Sequence, residues 1–312
     1  MDPHLLRTFL AVADCGSFSA AARRLGYTQS AVSQHIAALE QTLGVALLHR
    51  RPVGPTGAGE RLREHAAAIL LRLDAARADV RRASADPPGE LRLGITPLAV
   101  PERVARALAV VRRSRPGLAV TVGSGGRPAV ATGFVTGEYD VGLVAGVVAP
   151  SDPLPLAEFG VTTGVAVDEE PLVVLLPEGH PLAWRTGLRW DDLLDARWID
   201  APDVAASLPE LCAVARSDGP RPTLRYDGID LWHLLALVAA GHGLAVLPSS
   251  AVPAFAGVAM VPLTAPRLVH RTELLQPRDA GPVVAAFVAV LTEPSASPYG
   301  VRLGRTQHSR VP

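Results

Sequence analysis

Ser30, Gln34, Ala37 and Gln41 fall on one side of a helical wheel drawn at about 100° per residue, with Gln29 and Ser33 on the flank nearest the N-terminus. That side is polar, short and almost uncharged. It suits base-pair edges in a major groove, because Gln pairs bidentately with adenine, Ser bonds to several edges and Ala meets the thymine methyl. Catalytic chemistry has no comparable signal. Neither Cys15 nor Cys212 sits in a Cys/His motif, no His-Glu-x-x-His helix occurs and no Ser lies in a nucleophile elbow. The residues point to neither a metal nor a cofactor.

A helix must hold that polar side outward. Thr28 is suited to cap it, Val32, Ile36, Leu39 and Leu43 recur as a stripe for burial, and Gly44 is a natural stop. Before it, Ser19 to Leu25 reads as a short helix whose Ala20, Ala21 and Ala22 permit close packing, and Gly26 allows a bend. Leu5 to Ala13 reads as a supporting helix with Leu6, Phe9, Leu10 and Ala13 inward. Two short helices joined by a tight turn make a helix-turn-helix; an ordinary helical hairpin with a solvated side has the same pattern. After Gly44 a Gly- and Pro-rich stretch carries Arg50 and Arg51, suited to phosphate, to a narrow minor groove, or simply to solvent.

Within residues 2–60, the runs FLAVADCGSFSAAARRL, YTQSAVSQHIAALEQTLGVALLHR and PTGAGERL closely resemble the N-terminal DNA-binding domain of LysR-type transcriptional regulators. The resemblance implies a winged helix-turn-helix over residues 1–58 that binds double-stranded DNA through Thr28, Gln29, Ser30, Ser33, Gln34, Arg50 and Arg51. The wing-like segment is shorter than the common family pattern and lacks a further Arg before Thr56.

The length of 312 residues suggests about two domains, and 48% hydrophobic residues are ample for packed cores. Every basic residue is Arg and the formal net charge is zero, so global charge gives no ground for nucleic-acid binding. Before residue 60, Arg7, Arg23, Arg24, Arg50 and Arg51 stand against Asp2, Asp14, Glu40 and Glu60. The electrostatic contribution per subunit is modest, and tight binding calls for an oligomer. Two lone thiols fit a reducing cytosol, and no apolar run approaches the roughly 18 residues of a membrane span. A cytoplasmic location without membrane contact is expected.

From Gly59 to Ala85 the chain reads as one long helix, in which Leu62, Ala66, Ile69, Leu73, Ala76 and Val80 recur at alternating steps of four and three. This narrow apolar seam among charged residues predicts dimerisation through a helix pair; a helix lying on its own domain is the alternative. In the family that the head resembles, this is the linker helix, placed here over residues 59–88, and the implied assembly is a homodimer or a homotetramer. DPPGE at Asp86 to Glu90 marks a domain boundary.

Beyond it, LRLGI, AVTVG and DVGLV are β-rich runs, with the helical PERVARALAVVRRS between the first two, so a mainly parallel α/β sheet is expected. Strand-like and helical segments continue to VVAAFVAVL. GEYDVGLV, EGHPLA, DDLLDARWI and GHGLAVLP extend the family resemblance, which implies a two-lobed α/β effector-binding domain over residues 89–293, similar to a periplasmic binding protein. One lobe would take Glu90 to about Val165 with about Leu268 to Leu291, and the other about Ala166 to Arg267. A cleft between such lobes collects strand ends and helix starts, where a small-molecule effector settles. By position Thr96, Pro97, Leu98, Ala145, Gly146, Ala201, Pro202, Asp227 and Gly228 are the expected contacts, Thr96 first among them. Asp200 and Asp227 argue against a strongly acidic effector unless they point away. The run Gly123 to Gly126 lacks phosphate-loop spacing and reads as a strand-to-helix turn, and residues 294–312 are expected to be disordered. The function expected is a sequence-specific DNA-binding transcriptional regulator that senses a small molecule. An enzyme with a fused DNA-binding head, or a two-lobed module whose head meets only proteins, would be told apart by a nucleophile or metal cluster and by failure to shift DNA.

Overall fold

The computed structural model describes residues 1–84, 89–156, 164–217, 219–252, 254–277 and 279–293. The helix stop at Asp86 to Pro88 and the disorder expected for residues 294–312 lie outside the described residues.

Helices α1 (Pro3–Cys15), α2 (Phe18–Leu25) and α3 (Gln29–Leu43) build the head. Each starts on a side chain that takes a first-turn N–H: Asp2 from His4, Ser17 from Ala20 and Thr28 from Ala31. Each stops on a glycine in the left-handed region, Gly16, Gly26 and Gly44. Leu6, Phe9, Val12, Ala21, Ala22, Val32, Ile36 and Leu39 close the core. The expected stripe on α3 ends one turn early. Leu43 is 39% exposed, and Leu47 and Leu48, arriving from beyond Gly44, fill the core instead. Strands β1 (Leu48–Arg50) and β2 (Val53–Pro55) form an antiparallel hairpin, which is the wing.

Helix α4 (Gly57–Ser84) follows at once. Its seam is divided between partners, and here the expectation needs correction. Ala66 is 0% exposed and, with Leu70 and the half-buried Leu62, belongs to the head core, so Leu62 and Ala66 hold the helix to its own head. Arg7 of α1 reinforces the joint with an ion pair to Asp74 at 2.9 Å. Leu71 and Ala75, on another side, pack against the two-lobed region. Ile69, 41% exposed, with the half-buried Leu73 and the exposed Ala76 and Val80, forms the outward part of the seam.

The remaining elements are β3 (Glu90–Ile95), α5 (Pro101–Ser114), β4 (Ala119–Ser124), α6 (Arg127–Thr136), β5 (Val141–Val148), β6 (Val165–Pro177), β7 (Leu188–Arg189), β8 (Trp198–Asp200), α7 (Leu208–Ala215), β9 (Pro222–Arg225), α8 (Leu231–Ala239), β10 (Ala245–Pro248), β11 (Val258–Ala265), β12 (Val269–Leu275) and α9 (Pro282–Thr292). Strands β4, β3 and β5 are parallel, as expected, but β12, β6 and β11 join them antiparallel, so the sheet is mixed. The helix expected near Trp190 is a single 3₁₀ turn, Trp190–Leu193. One lobe packs β3, β5, α5 and α9 around Leu91, Leu93, Val141, Leu143 and Phe287; the other packs around Leu172, Val174, Trp190, Trp198 and Leu244. The two lobes share β6, which pairs with β12 up to Pro171 and with β10 and β11 from Leu172 onward. The lobe boundary on this strand therefore lies several residues beyond Val165.

Gly59 sits where α4 crosses the wing, and a Cβ there would meet the Leu47 carbonyl and the Pro55 side chain. Gly59→Val is expected to cost about 1–3 kcal/mol by overpacking. Urea denaturation of the full chain checks this; unchanged stability would show that the wing and α4 are not in this close contact.

Candidate functional sites

The first candidate is the outer side of α3. Gln29, Ser30, Gln34, Ala37 and Gln41 are exposed, Ser33 is half-buried, and Val32, Ile36 and Leu39 are turned into the core. The Thr28 hydroxyl accepts from the Ala31 N–H at 3.2 Å, so its first role is to fix the start of the helix. His35 is held from the inside, its Nδ1 3.0 Å from the Thr8 hydroxyl and its ring edge-on to Tyr27. Glu40 ties the wing to α3 by accepting from the backbone N–H groups of Leu47 at 2.8 Å and Leu48 at 3.2 Å. The two arginines differ. Arg50 is drawn back to Glu40 at 3.4 Å and lies over the Phe18 ring at 5.1 Å, whereas Arg51 is exposed in the hairpin turn. Arg51 is thus the more available cation at the wing tip.

The second candidate is a cavity of about 250 Å³ between the lobes. Thr96, Pro97 and Leu98 beyond β3, Ala145 and Gly146 on β5, and Pro202 line it as expected. Ala201, Asp227 and Gly228 are not among its lining residues. Ala201 is packed in the core of the second lobe, and Asp227 is turned toward Arg225, whose Nε donates to it at 2.8 Å. Gly228 lies against the Tyr226 ring. Asp200 is likewise occupied, accepting from the Leu208 N–H at 3.0 Å and from Arg225 at 3.0 Å. Neither Asp200 nor Asp227 opposes an anionic group in the cleft.

The charged lining that sequence reading missed comes from the helices. Arg127 is the first residue of α6 in one lobe, Glu210 lies in the first turn of α7 in the other, and their side chains form an ion pair across the cleft. Gly146 is the seat for this pair, since a Cβ there would collide with the Arg127 guanidinium. Asp203, from the second lobe, leans on the backbone of Gly126 at the start of α6, again where a Cβ would stand. His270 of β12 also lines the cavity, 6% exposed, with no hydrogen-bond partner for Nδ1 among the described residues. Burial alone pushes its pKa down to about 4, so the ring is uncharged at neutral pH. Thr96 is buried, and among the described residues its hydroxyl reaches the Leu143 carbonyl alone, at 3.5 Å.

A signal for α7 was present. Ser207, Pro209 and Glu210 are a helix-start pattern, but eight residues give little periodicity. Arg127 was legible only as the residue after a glycine-rich turn, which the structure places between β4 and α6.

Residues 3–60 match the family model described as "Bacterial regulatory helix-turn-helix protein, lysR family", and residues 84–295 match "LysR substrate binding domain". A "Probable hydrogen peroxide-inducible genes activator" of Mycobacterium avium is 32% identical over 283 residues, covering 88% of each chain. A "Probable HTH-type transcriptional regulator LrrA" of Synechococcus elongatus is 30% identical, covering 92% of this chain and 95% of the relative. Among solved structures, a C206 mutant of OxyR from Corynebacterium glutamicum has a TM-score of 0.51 at 27% identity, over 93% of this chain and 90% of that one.

His270 gives a pH test of the cleft lining. The folded chain holds the imidazole neutral down to about pH 4, while in the unfolded chain it takes a proton near its ordinary value of 6.5. Stability from this group is therefore full above pH 6.5 and is lost as pH falls toward 4, by roughly 3 kcal/mol in all. His270→Gln should remove that part of the pH dependence, read as the difference between variant and wild type in urea melts at pH 7 and pH 4.5. Parallel curves for the two proteins would mean that the ring is solvated.

Proposed function

This chain belongs to the lysR family of bacterial regulatory helix-turn-helix proteins, and we propose from that premise which residues read the DNA, how the subunits pair and where the effector binds. It is a DNA-binding transcriptional regulator with an effector-binding domain, and its relatives are regulators rather than enzymes. The observation that carries the residue assignment is the exposed polar row of α3 set on a fully buried stripe, because only such a helix can enter a groove without losing its core. Gln29, Ser30, Ser33 and Gln34 meet base edges, Thr28 sets the first turn, and Arg51, with Arg50 behind it, meets the backbone or the minor groove.

The domain limits proposed are residues 1–58 for the winged head, 59–88 for the linker and 89–293 for the effector-binding region. Pairing runs through the outward part of α4, with Ile69 and Leu73 at its centre, and gives a homodimer that is able to assemble further into a tetramer. This makes good the slight basic excess of a single head. No helix among the described residues is long and apolar enough to cross a membrane, and a protein that reads chromosomal DNA works in the bacterial cytoplasm.

Sensing of peroxide through a thiol, suggested by the names of several relatives, finds little chemistry here. Cys15 and Cys212 are in different domains, and burial raises the Cys212 pKa, whereas it is a thiolate that attacks peroxide. The effector is instead a small molecule held in the inter-lobe cleft.

Gln29→Ala should cost about 1–3 kcal/mol at the protein's own operator and leave unrelated DNA nearly unaffected, while Arg51→Ala should weaken both alike. Fluorescence anisotropy with promoter and scrambled duplexes separates the two, and equal operator affinity in a folded Gln29→Ala variant would sink the base-reading assignment. Leu73→Arg should break the subunit pair without unfolding the lobes. Light scattering is the measurement, and an intact dimer would exclude the outward seam as the interface.

A further inference from the structure

Two residues that line the cleft each carry a buried nitrogen without a partner among the described residues, Arg127 at Nε and His270 at Nδ1. Buried polar atoms are satisfied in the great majority of cases, so both mark a wall shaped for a polar guest. His270 contributes a hydrogen-bonding site rather than a charge. The Arg127 side chain is only 12% exposed, and its terminal nitrogens are both spent on Glu210, a residue of the opposite lobe. A carboxylate thus already lies on the one deeply set cation of the cavity.

Charge balance then decides between guests. A simple anion that displaced Glu210 would leave three carboxylates, its own with those of Glu210 and Asp203, around Arg127, because Arg225 is committed to Asp200 and Asp227. A simple cation would match Glu210 and Asp203 but would leave Arg127 Nε unsatisfied. A guest with both charges exchanges one ion pair for two and keeps the net charge of the cavity unchanged. The volume, about 250 Å³, is at the small end for ligand pockets.

We propose that the effector is a small zwitterion of the amino-acid type, whose carboxylate takes Arg127 from Glu210 while its ammonium group binds Glu210 and Asp203. This rests on the assignment of the cleft as the effector site and adds the chemical class. Glu210 is the internal stand-in for the ligand carboxylate, and the cross-lobe ion pair is what binding rearranges.

The test is calorimetry on the full-length protein with the standard L-amino acids one at a time, and, for any that binds, its deaminated acid and its carboxamide. At least one amino acid should bind, with both analogues weaker by about ten- to a hundredfold, the worth of a charged hydrogen bond. Arg127→Gln should remove binding, and Glu210→Gln should weaken the amino acid while letting the deaminated acid bind. If Arg127→Gln fails to fold by circular dichroism, Glu210→Gln carries the test. Absence of binding by every amino acid, or an acid analogue that binds wild type equally well, overturns the zwitterion class. An amino acid whose binding survives both Arg127→Gln and Gly146→Val lies outside the cleft and overturns the site assignment itself.

Discussion

Strand β6 belongs to both lobes at once, and every other relation in the effector-binding region follows from that sharing. Its first half is hydrogen-bonded to β12 and its second half to β10 and β11, so neither lobe can leave without breaking a ladder. The crossover is stiffened by charge. Arg271 is ion-paired to Glu169 of β6 and to Glu273 of its own strand, and Glu273, almost fully buried, also accepts from the Leu154 N–H at 3.1 Å. Buried charges of this kind are costly when a partner is lost, which favours a fixed crossover with movement confined to the rims of the lobes.

The rims are where the cleft chemistry sits. Leu98 from the first lobe packs on the second, and Val147 of β5 lies in the core of the second lobe, so the cavity is closed by apolar contact as well as by Arg127 and Glu210. Apolar contact has no directional demand, whereas the ion pair does. A ligand that redirects the ion pair can therefore shift the facing rims while the apolar contacts slide.

Much of the head was legible because local and long-range demands agree there. Thr28, the stripe of Val32, Ile36 and Leu39, and Gly44 all specify the same helix, and the structure departs only at Leu43, where the next segment supplies a better filler. The long helix was legible as a helix but not in its partners. A heptad pattern states that a seam will be covered and is silent on what covers it, so Leu62 and Ala66 turned out to meet their own head. The cleft was legible where backbone position decides, at Thr96, Pro97, Leu98, Ala145, Gly146 and Pro202. It was illegible where side chains from separate elements meet. Nothing in the spacing of Arg127 and Glu210 indicates that they touch, and Asp227 gave no sign that Arg225 would turn it away.

Helix α6 starts at the cleft with Arg127, and Val130, Phe134 and Val135 further along it pack in one cluster with Leu71 and Ala75 of α4. One turn earlier on α4, Ala66 and Leu70 are part of the head core. A single helix thus touches the proposed effector cleft at one end and, along its side, the long helix that carries the DNA-binding head. Coupling through such a helix is reciprocal: whatever factor an effector applies to operator affinity, the operator must apply to effector affinity. A protomer seated on its DNA would then respond to a different effector concentration from one free in solution, so the dose response of a regulated gene would depend on how fully its operator is occupied.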